Sequence, residues 1–235
     1  MNFIKRVRYN LIGGGKSGKY LKYAIGEIIL VVIGILIAIQ INSWQQAKSE
    51  RILEKKYLNN LVGELRQDSI GLKNNLLQLK NQARTKEVFL DMVKGGVQGD
   101  SIIYFFDYQW KPILPYIPIK STYIELTTNS HLRVIRSDAI REKIIKIYNS
   151  YESMEKAEDN LNQTATNHVI DLISRSIPDM SSYSVEDIMS LKSNTNLLNA
   201  IQLNGAYTRR DKYKKMFDDC SNLISEIENY RTTLD

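Results

Sequence analysis

One carboxylate, Glu27, stands inside the apolar run AIGEIILVVIGILIAIQINS that begins at Ala24. An ionisable group in a lipid-spanning segment costs about 2.5–3.5 kcal/mol near the bilayer centre and less near an interface, so its surroundings decide its chemistry. At about 100° per residue, Gly34 and Ala38 fall within roughly 20° of Glu27 on a helix, and Val31 lies alongside. Gly34 and Ala38 form a small-x-x-x-small pair that allows close helix approach, and a carboxyl on the same face can hydrogen-bond to a neighbouring span. Three uses of Glu27 follow. It can reach the cytoplasmic headgroups or pair with Lys22 or Lys19, it can join two helices, or it can handle an ion or proton as in single-span motor subunits.

The other reactive residue types form no recognisable catalytic set. The GGGKSGK stretch from Gly13 to Lys19 resembles a phosphate loop, but Asn10 stands where that pattern needs its first glycine, which leaves a basic tether suited to anionic lipid. His131 and His168 are the two histidines, and neither has metal-ligand spacing with Cys or carboxylates. Paired acids such as Asp218 with Asp219, and Glu226 with Glu228, lie on charged helical faces. Cys220 is the single cysteine, so no internal disulfide can form. The expectation is therefore no metal, no cofactor and no catalytic centre.

The elements that position these residues begin with the apolar run. Residues 24–41 would make a helix of about 27 Å, close to a hydrocarbon core of about 30 Å. The chain carries a net charge of +6, and all of it resides in residues 1–22, which hold Lys5, Arg6, Arg8, Lys16, Lys19 and Lys22 and no acidic residue. The charge thus reads as a positive-inside flank rather than a nucleic-acid surface. The exit of the run lacks a small-x-small cleavage pattern, which favours a retained signal-anchor over a cleaved signal peptide. The expected organisation is a basic cytoplasmic leader (1–22), a transmembrane helix (23–44) and a periplasmic helical domain (45–235).

After Trp44 a seven-residue repeat sets in. Leu58, Leu65, Leu72 and Leu79 recur one heptad apart, with Val62, Ser69, Leu76, Ala83 and Leu90 on the alternate seam. The pattern predicts a long helix over about 45–94, with Gly63 and Gly71 as weak points and Gly95, Gly96 and Gly99 as its stop. Its stripe can pack inside the domain or form a coiled coil between subunits. Residues 102–119 are rich in aromatics and contain Pro112, Pro115 and Pro118, so the segment 100–120 is expected to be extended. It would serve as a strap across the helices or, through Trp110 and Tyr116, as a partner surface.

A short helix is expected over 122–128, turning at Asn129 and Ser130. Ser137 and Asp138 then start a long helix reaching about Ser176. Ser184 with Asp187 is an acidic variant of the capping box and opens a short helix near 185–191. Another short helix follows near 197–203, and Gly205 precedes a final one over about 206–232. The fold class read from this pattern is all-α: one N-terminal transmembrane helix followed by a periplasmic up-and-down helical bundle.

Three stretches resemble a family of uncharacterised bacterial single-span envelope proteins, a domain of unknown function. The first is the Tyr-Ala-Ile-Gly-Glu-Ile span beginning at Tyr23. The second is the outer-helix segment EKKYLNNLVGELRQDSIGL, and the third is STYIELTTNSHLRVIRSDAIREKIIKIYNSY. The third usually has Ser-Gly where this chain has Asn129-Ser130. The resemblance implies a bacterial inner membrane location and a helical periplasmic domain, and it implies no activity.

Together these readings predict a non-enzymatic, membrane-anchored scaffold or accessory subunit that oligomerises with itself or joins other envelope membrane proteins. Glu27, Gly34 and Ala38 would make the contact in the lipid. Leu58, Val62, Leu65, Leu72, Leu76 and Leu79 would continue it or build the core outside. A periplasmic ligand sensor is the alternative, followed by an ion-coupled motor or transport subunit using Glu27.

Overall fold

The computed structural model describes residues 17–96, 99–110, 115–161, 163, 167–203 and 206–234. Among them the fold is all-α, with eight α-helices and no strand. The first helix, α1, covers Ser17–Gly95. The chain divides into two compact units, residues 1–53 and 54–235, and α1 contributes to both.

Within the N-terminal unit, residues 17–53 are helical, as their composition requires. Proline is absent, and in hydrocarbon a backbone whose amides are not paired within its own segment is not tolerated. Its most apolar window has a mean hydropathy of 2.7 with no residue buried, which makes it a candidate membrane span by length and composition. Leu30 is 74% exposed, and the neighbouring Ile, Leu and Val side chains are open too. Past this stretch the side chains turn polar. Trp44 lies against Lys48, whose Nζ sits 5.6 Å from the ring centroid, and Gln46 donates to Glu50 at 3.0 Å. Aromatic and cationic side chains of this kind suit the level of the lipid headgroups.

The C-terminal unit adds α2 (Ser101–Trp110), α3 (Ser121–Thr128), α4 (Asp138–Leu161), α5 (Asn167–Ser176), α6 (Val185–Ser190), α7 (Thr195–Leu203) and α8 (Ala206–Thr232). Short 3-10 turns lie at His131–Val134 and Leu191–Ser193. Leu58, Leu65, Leu72 and Leu79 of the heptad seam are fully buried, as are Tyr148 and Tyr151 of α4 and Tyr213 and Cys220 of α8. A second apolar cluster joins Phe89, Leu90 and Val93 of α1 to Ile102 and Phe106 of α2, and to Val169, Ile173 and Leu197 further on. The Phe89 and Phe106 rings are 5.8 Å apart, and Tyr183 meets Phe106 edge-on.

Local signals set several boundaries. Gly96 has φ +71°, the left-handed conformation that ends a helix without a Cβ clash. Ser184 and Asp187 form the reciprocal capping box, with the Asp187 amide donating to Ser184 Oγ at 3.1 Å and the Ser184 amide to Asp187 Oδ2 at 2.8 Å. Ser137 precedes α4 and accepts the Arg141 amide on its carbonyl.

The expectation that 100–120 is extended fails in its first half, where residues 101–110 are helical. All three prolines of the segment come after residue 110, so their restriction never reaches Ile102 and Phe106, which bury themselves one helical turn apart. Residues 115–120 are non-helical, and 111–114 lie outside the described residues. Of the long helix expected from Asp138 to Ser176, Asp138–Leu161 (α4) and Asn167–Ser176 (α5) are helical, and residues 162 and 164–166 between them lie outside the described residues. Gly63 and Gly71 do not interrupt α1, which runs through both. Gly71 is instead a point of close approach. A Cβ there would lie 2.7 Å from Cδ2 of Tyr116 and nearer still to Cε2, so the ring occupies the space a side chain would need.

The turn after α3 places Ser130 at φ +56°, the one non-glycine residue with positive φ among those described. Its side chain makes no capping hydrogen bond that would offset the strain of about 1–2 kcal/mol. Ser130→Gly is therefore expected to stabilise the protein by about 1 kcal/mol, raising Tm by about 2–4 °C in a thermal melt. An unchanged or lower Tm would show that the turn is not strained.

Candidate functional site

Several polar residues of α1 that face the domain interior recur at two heptad positions. Glu54, Asp68 and Asn75 share a heptad position with Leu61, and Tyr57 and Glu64 share another. Glu54 and Asp68 are wholly inaccessible, and Tyr57 is 1% exposed. Each carboxylate takes one backbone amide, from Ile119, Thr122 or Arg136, that lies outside a helix or in the first turn of one and so has no partner within a helix. Asp68 Oδ1 accepts the Ile119 amide at 3.0 Å and the Tyr116 hydroxyl. Glu64 Oε1 accepts the Thr122 amide at 3.1 Å and the Thr122 hydroxyl at 2.8 Å, which caps the first turn of α3 from outside the helix. Glu54 Oε1 accepts the Arg136 amide at 2.7 Å and the Tyr230 hydroxyl of α8 at 2.9 Å. The Tyr57 hydroxyl donates to Glu125 at 3.0 Å and lies 2.8 Å from His131 Nδ1.

Around Asp68 the polar atoms are dense and apolar side chains enclose them. The Tyr116 amide donates to the Tyr213 hydroxyl at 3.1 Å, the Tyr148 hydroxyl to the Ile119 carbonyl at 3.4 Å, and the Cys220 thiol to the Leu65 carbonyl at 3.1 Å. Burial holds the Asp68 carboxyl above its ordinary range, against the opposing donation from Ile119, Tyr116 and Tyr151. Glu64 is raised for the same reason, with the Asp68 charge adding to it and the Thr122 donors opposing it. Burial also raises the hydroxyls of Tyr116, Tyr148 and Tyr151, and it pushes the Cys220 thiol up to about 12, so that none of these groups ionises near neutrality.

This arrangement is suited to holding a segment in place. A hydrogen bond to a charged acceptor contributes about 1.5–3 kcal/mol, and a buried amide left without one costs about as much. No group of His, Cys, Asp or Glu is placed to hold a metal ion among the described residues. His131 is engaged with Tyr57, and His168 is exposed.

The residues singled out in the sequence are distributed as follows. Glu27 and Ala38 are exposed on α1, and a Cβ at Gly34 would meet nothing within 4 Å. Leu58, Val62, Leu65, Leu72 and Leu79 are buried, and Leu76 is half-buried. Tyr116 is half-buried, its ring over Gly71 and its hydroxyl on Asp68. Trp110 ends α2, and its side chain lies outside the described residues. The carboxylate row escaped the sequence reading, although polar residues recurring at a buried heptad position were a usable signal.

Fold and site together define an all-α protein with an N-terminal candidate membrane span and a helical domain held by buried carboxylate-to-amide contacts. The chain belongs to a family of unknown function, DUF6090, whose model matches residues 27–176. No curated protein and no solved structure matches it significantly.

Proposed function

We propose that this chain is a non-enzymatic scaffold or accessory subunit, fixed in the bacterial inner membrane by residues 23–44, with its N-terminus cytoplasmic and residues 45–235 periplasmic. In the membrane it joins a second copy or another envelope protein through the face of Glu27, Gly34 and Ala38. The observation that carries this reading is the open state of that face in a segment apolar enough to span lipid: Glu27 is exposed, and there is space beside Gly34. A carboxyl group in hydrocarbon is stabilised by a hydrogen-bonding neighbour, and small residues on the same face let that neighbour's backbone approach. The concentration of positive charge before the span supports the orientation.

Mass measurement of the detergent-solubilised full chain tests the assembly. A fixed multiple of the 27.1 kDa chain, or a stoichiometric co-purifying membrane protein, is expected. A monomer alone would remove the scaffold reading. Glu27→Gln should preserve assembly, because the amide can still hydrogen-bond, whereas proton transfer through that position would be abolished.

A further inference from the structure

Two of the buried polar atoms around the strap have no hydrogen-bond partner as placed: Asp68 Oδ2 and the Tyr151 hydroxyl. Both residues are essentially inaccessible, at 0% and 1% exposure. They belong to one cluster, since Tyr151 interacts with both Asp68 and Cys220. An ionised Asp68 would leave Oδ2 as a buried negative oxygen that faces the Tyr151 hydroxyl without a well-formed hydrogen bond from it, a costly state. We propose that Asp68 is a proton-binding site, and that its neutral carboxylic acid latches residues 116–119 onto α1.

The donors and acceptors then balance. The proton on Oδ2 is donated to the Tyr151 oxygen, the Tyr151 hydroxyl is donated to Cys220 Sγ, and the Cys220 thiol already donates to the Leu65 carbonyl at 3.1 Å. Oδ1 continues to accept from Tyr116 and Ile119. Burial, the largest influence on Asp68, favours this state and outweighs the Ile119, Tyr116 and Tyr151 donors, which favour the ionised form. Glu64, half-buried, lies one turn away on α1 and accepts from Thr122, with Glu125 of α3 beyond it. Tyr116 approaches from the strap, Tyr148 and Tyr151 from α4, and Cys220 from α8. The cation of the strap, Lys120, pairs with Glu155 at 2.7 Å. Among the described residues no charge of opposite sign faces Asp68 to hold it ionised, and burial favours its neutral form.

The direction of the pH dependence follows from linkage. An Asp68 released into water titrates near about 3.9, whereas the docked carboxyl is raised above that. Docking therefore gains a proton above the ordinary Asp range, is most stable on the acidic side, and weakens as pH rises through the docked value. Only the source of the acidity, the envelope space, rests on the proposed topology. The latch itself is read on purified protein, so its failure and that of the topology are separable.

The test is amide hydrogen exchange of Ile119 in the full chain in detergent, corrected for intrinsic rate, from about pH 4 to about pH 9. Protection is expected to fall with rising pH, by about tenfold for each pH unit above the docked pKa until the free state dominates. Asp68→Asn mimics the neutral acid, since its oxygen can accept from Tyr116 and Ile119 and its amide can donate to Tyr151. It should hold acid-level protection across the range. Flat wild-type protection, or an Asp68→Asn protein that loses protection equally at every pH, would overturn the proposal. If that variant does not fold, a carbon-13 carboxyl titration of Asp68 in the unmodified chain decides the matter. An apparent pKa at or below about 3.9 would reject the latch, and a clearly higher one would support it.

Discussion

Glu158→Ala is expected to destabilise the domain by about 3–5 kcal/mol. Glu158 on α4 and Arg209 on α8 are 1% and 5% exposed, and they meet as a two-pronged pair. Arg209 Nε donates to Oε1 at 2.9 Å, and Nη2 donates to Oε2. Truncating the acid leaves a guanidinium sealed in the interior with no counter-charge, and Arg cannot escape by losing its proton. For a domain of ordinary stability, about 5–15 kcal/mol, that loss is a large fraction of the total. Urea denaturation of the full chain in detergent should show the midpoint lowered by about 1–3 M at unchanged slope. Replacing both partners, Glu158→Leu with Arg209→Met, is expected to restore stability to within about 1 kcal/mol of the original or to exceed it, because both desolvation costs disappear together. A double variant as unstable as the single one would show that the pair itself, and not the orphaned charge, carries the stability. A wild-type midpoint in Glu158→Ala would show that the pair is open to water.

What could be read from the sequence was local. The capping box at Ser184 and Asp187 needs only residues three apart, and the stop at Gly96 needs only a residue without a Cβ. The heptad seam was visible because burial of Leu58, Leu65, Leu72 and Leu79 is imposed by one helix's own periodicity. Helix α2 was missed because the rigidity of Pro112, Pro115 and Pro118 was extended backwards over residues that precede them and have no such restriction. The carboxylate row was missed for a different reason. Glu64 and Asp68 look like ordinary exposed acids until the amides of Thr122 and Ile119, more than fifty positions away, are seen to sit against them. Glu54, Tyr57 and Glu64 lie in the segment EKKYLNNLVGELRQDSIGL, and their partners Thr122, Glu125, His131 and Arg136 lie in the segment that starts at Ser121, while Asp68 and Gly71 of the first segment meet Tyr116 and Ile119 just ahead of the second. The two outer stretches that carry the family resemblance are thus the two halves of one contact, which gives a physical reason for reading them as a unit.

Ending the chain after Ser176, where the family match stops, is expected to abolish cooperative folding of the domain. The remainder supplies interior that nothing else replaces. Leu191, Leu197, Leu198 and Ile201 complete the cluster around Phe89 and Phe106, and Tyr213, Cys220, Leu223 and Ile227 of α8 are buried as well. Losing one such aliphatic side chain costs about 2–5 kcal/mol, so losing these together exceeds the whole stability of an ordinary domain. The polar account fails at the same time, since Glu54 loses the Tyr230 hydroxyl, Glu158 loses Arg209, and the Tyr116 amide loses the Tyr213 hydroxyl. The shortened protein should still insert in the membrane, because the candidate span lies at the other end. In detergent it should show no sigmoidal thermal transition, and limited proteolysis should cut throughout residues 54–176. A cooperative melt within a few degrees of the full chain would mean that α6, α7 and α8 cover a core already complete without them. The interior assigned here to Leu65, Asp68 and Tyr151 would then have to close by another route.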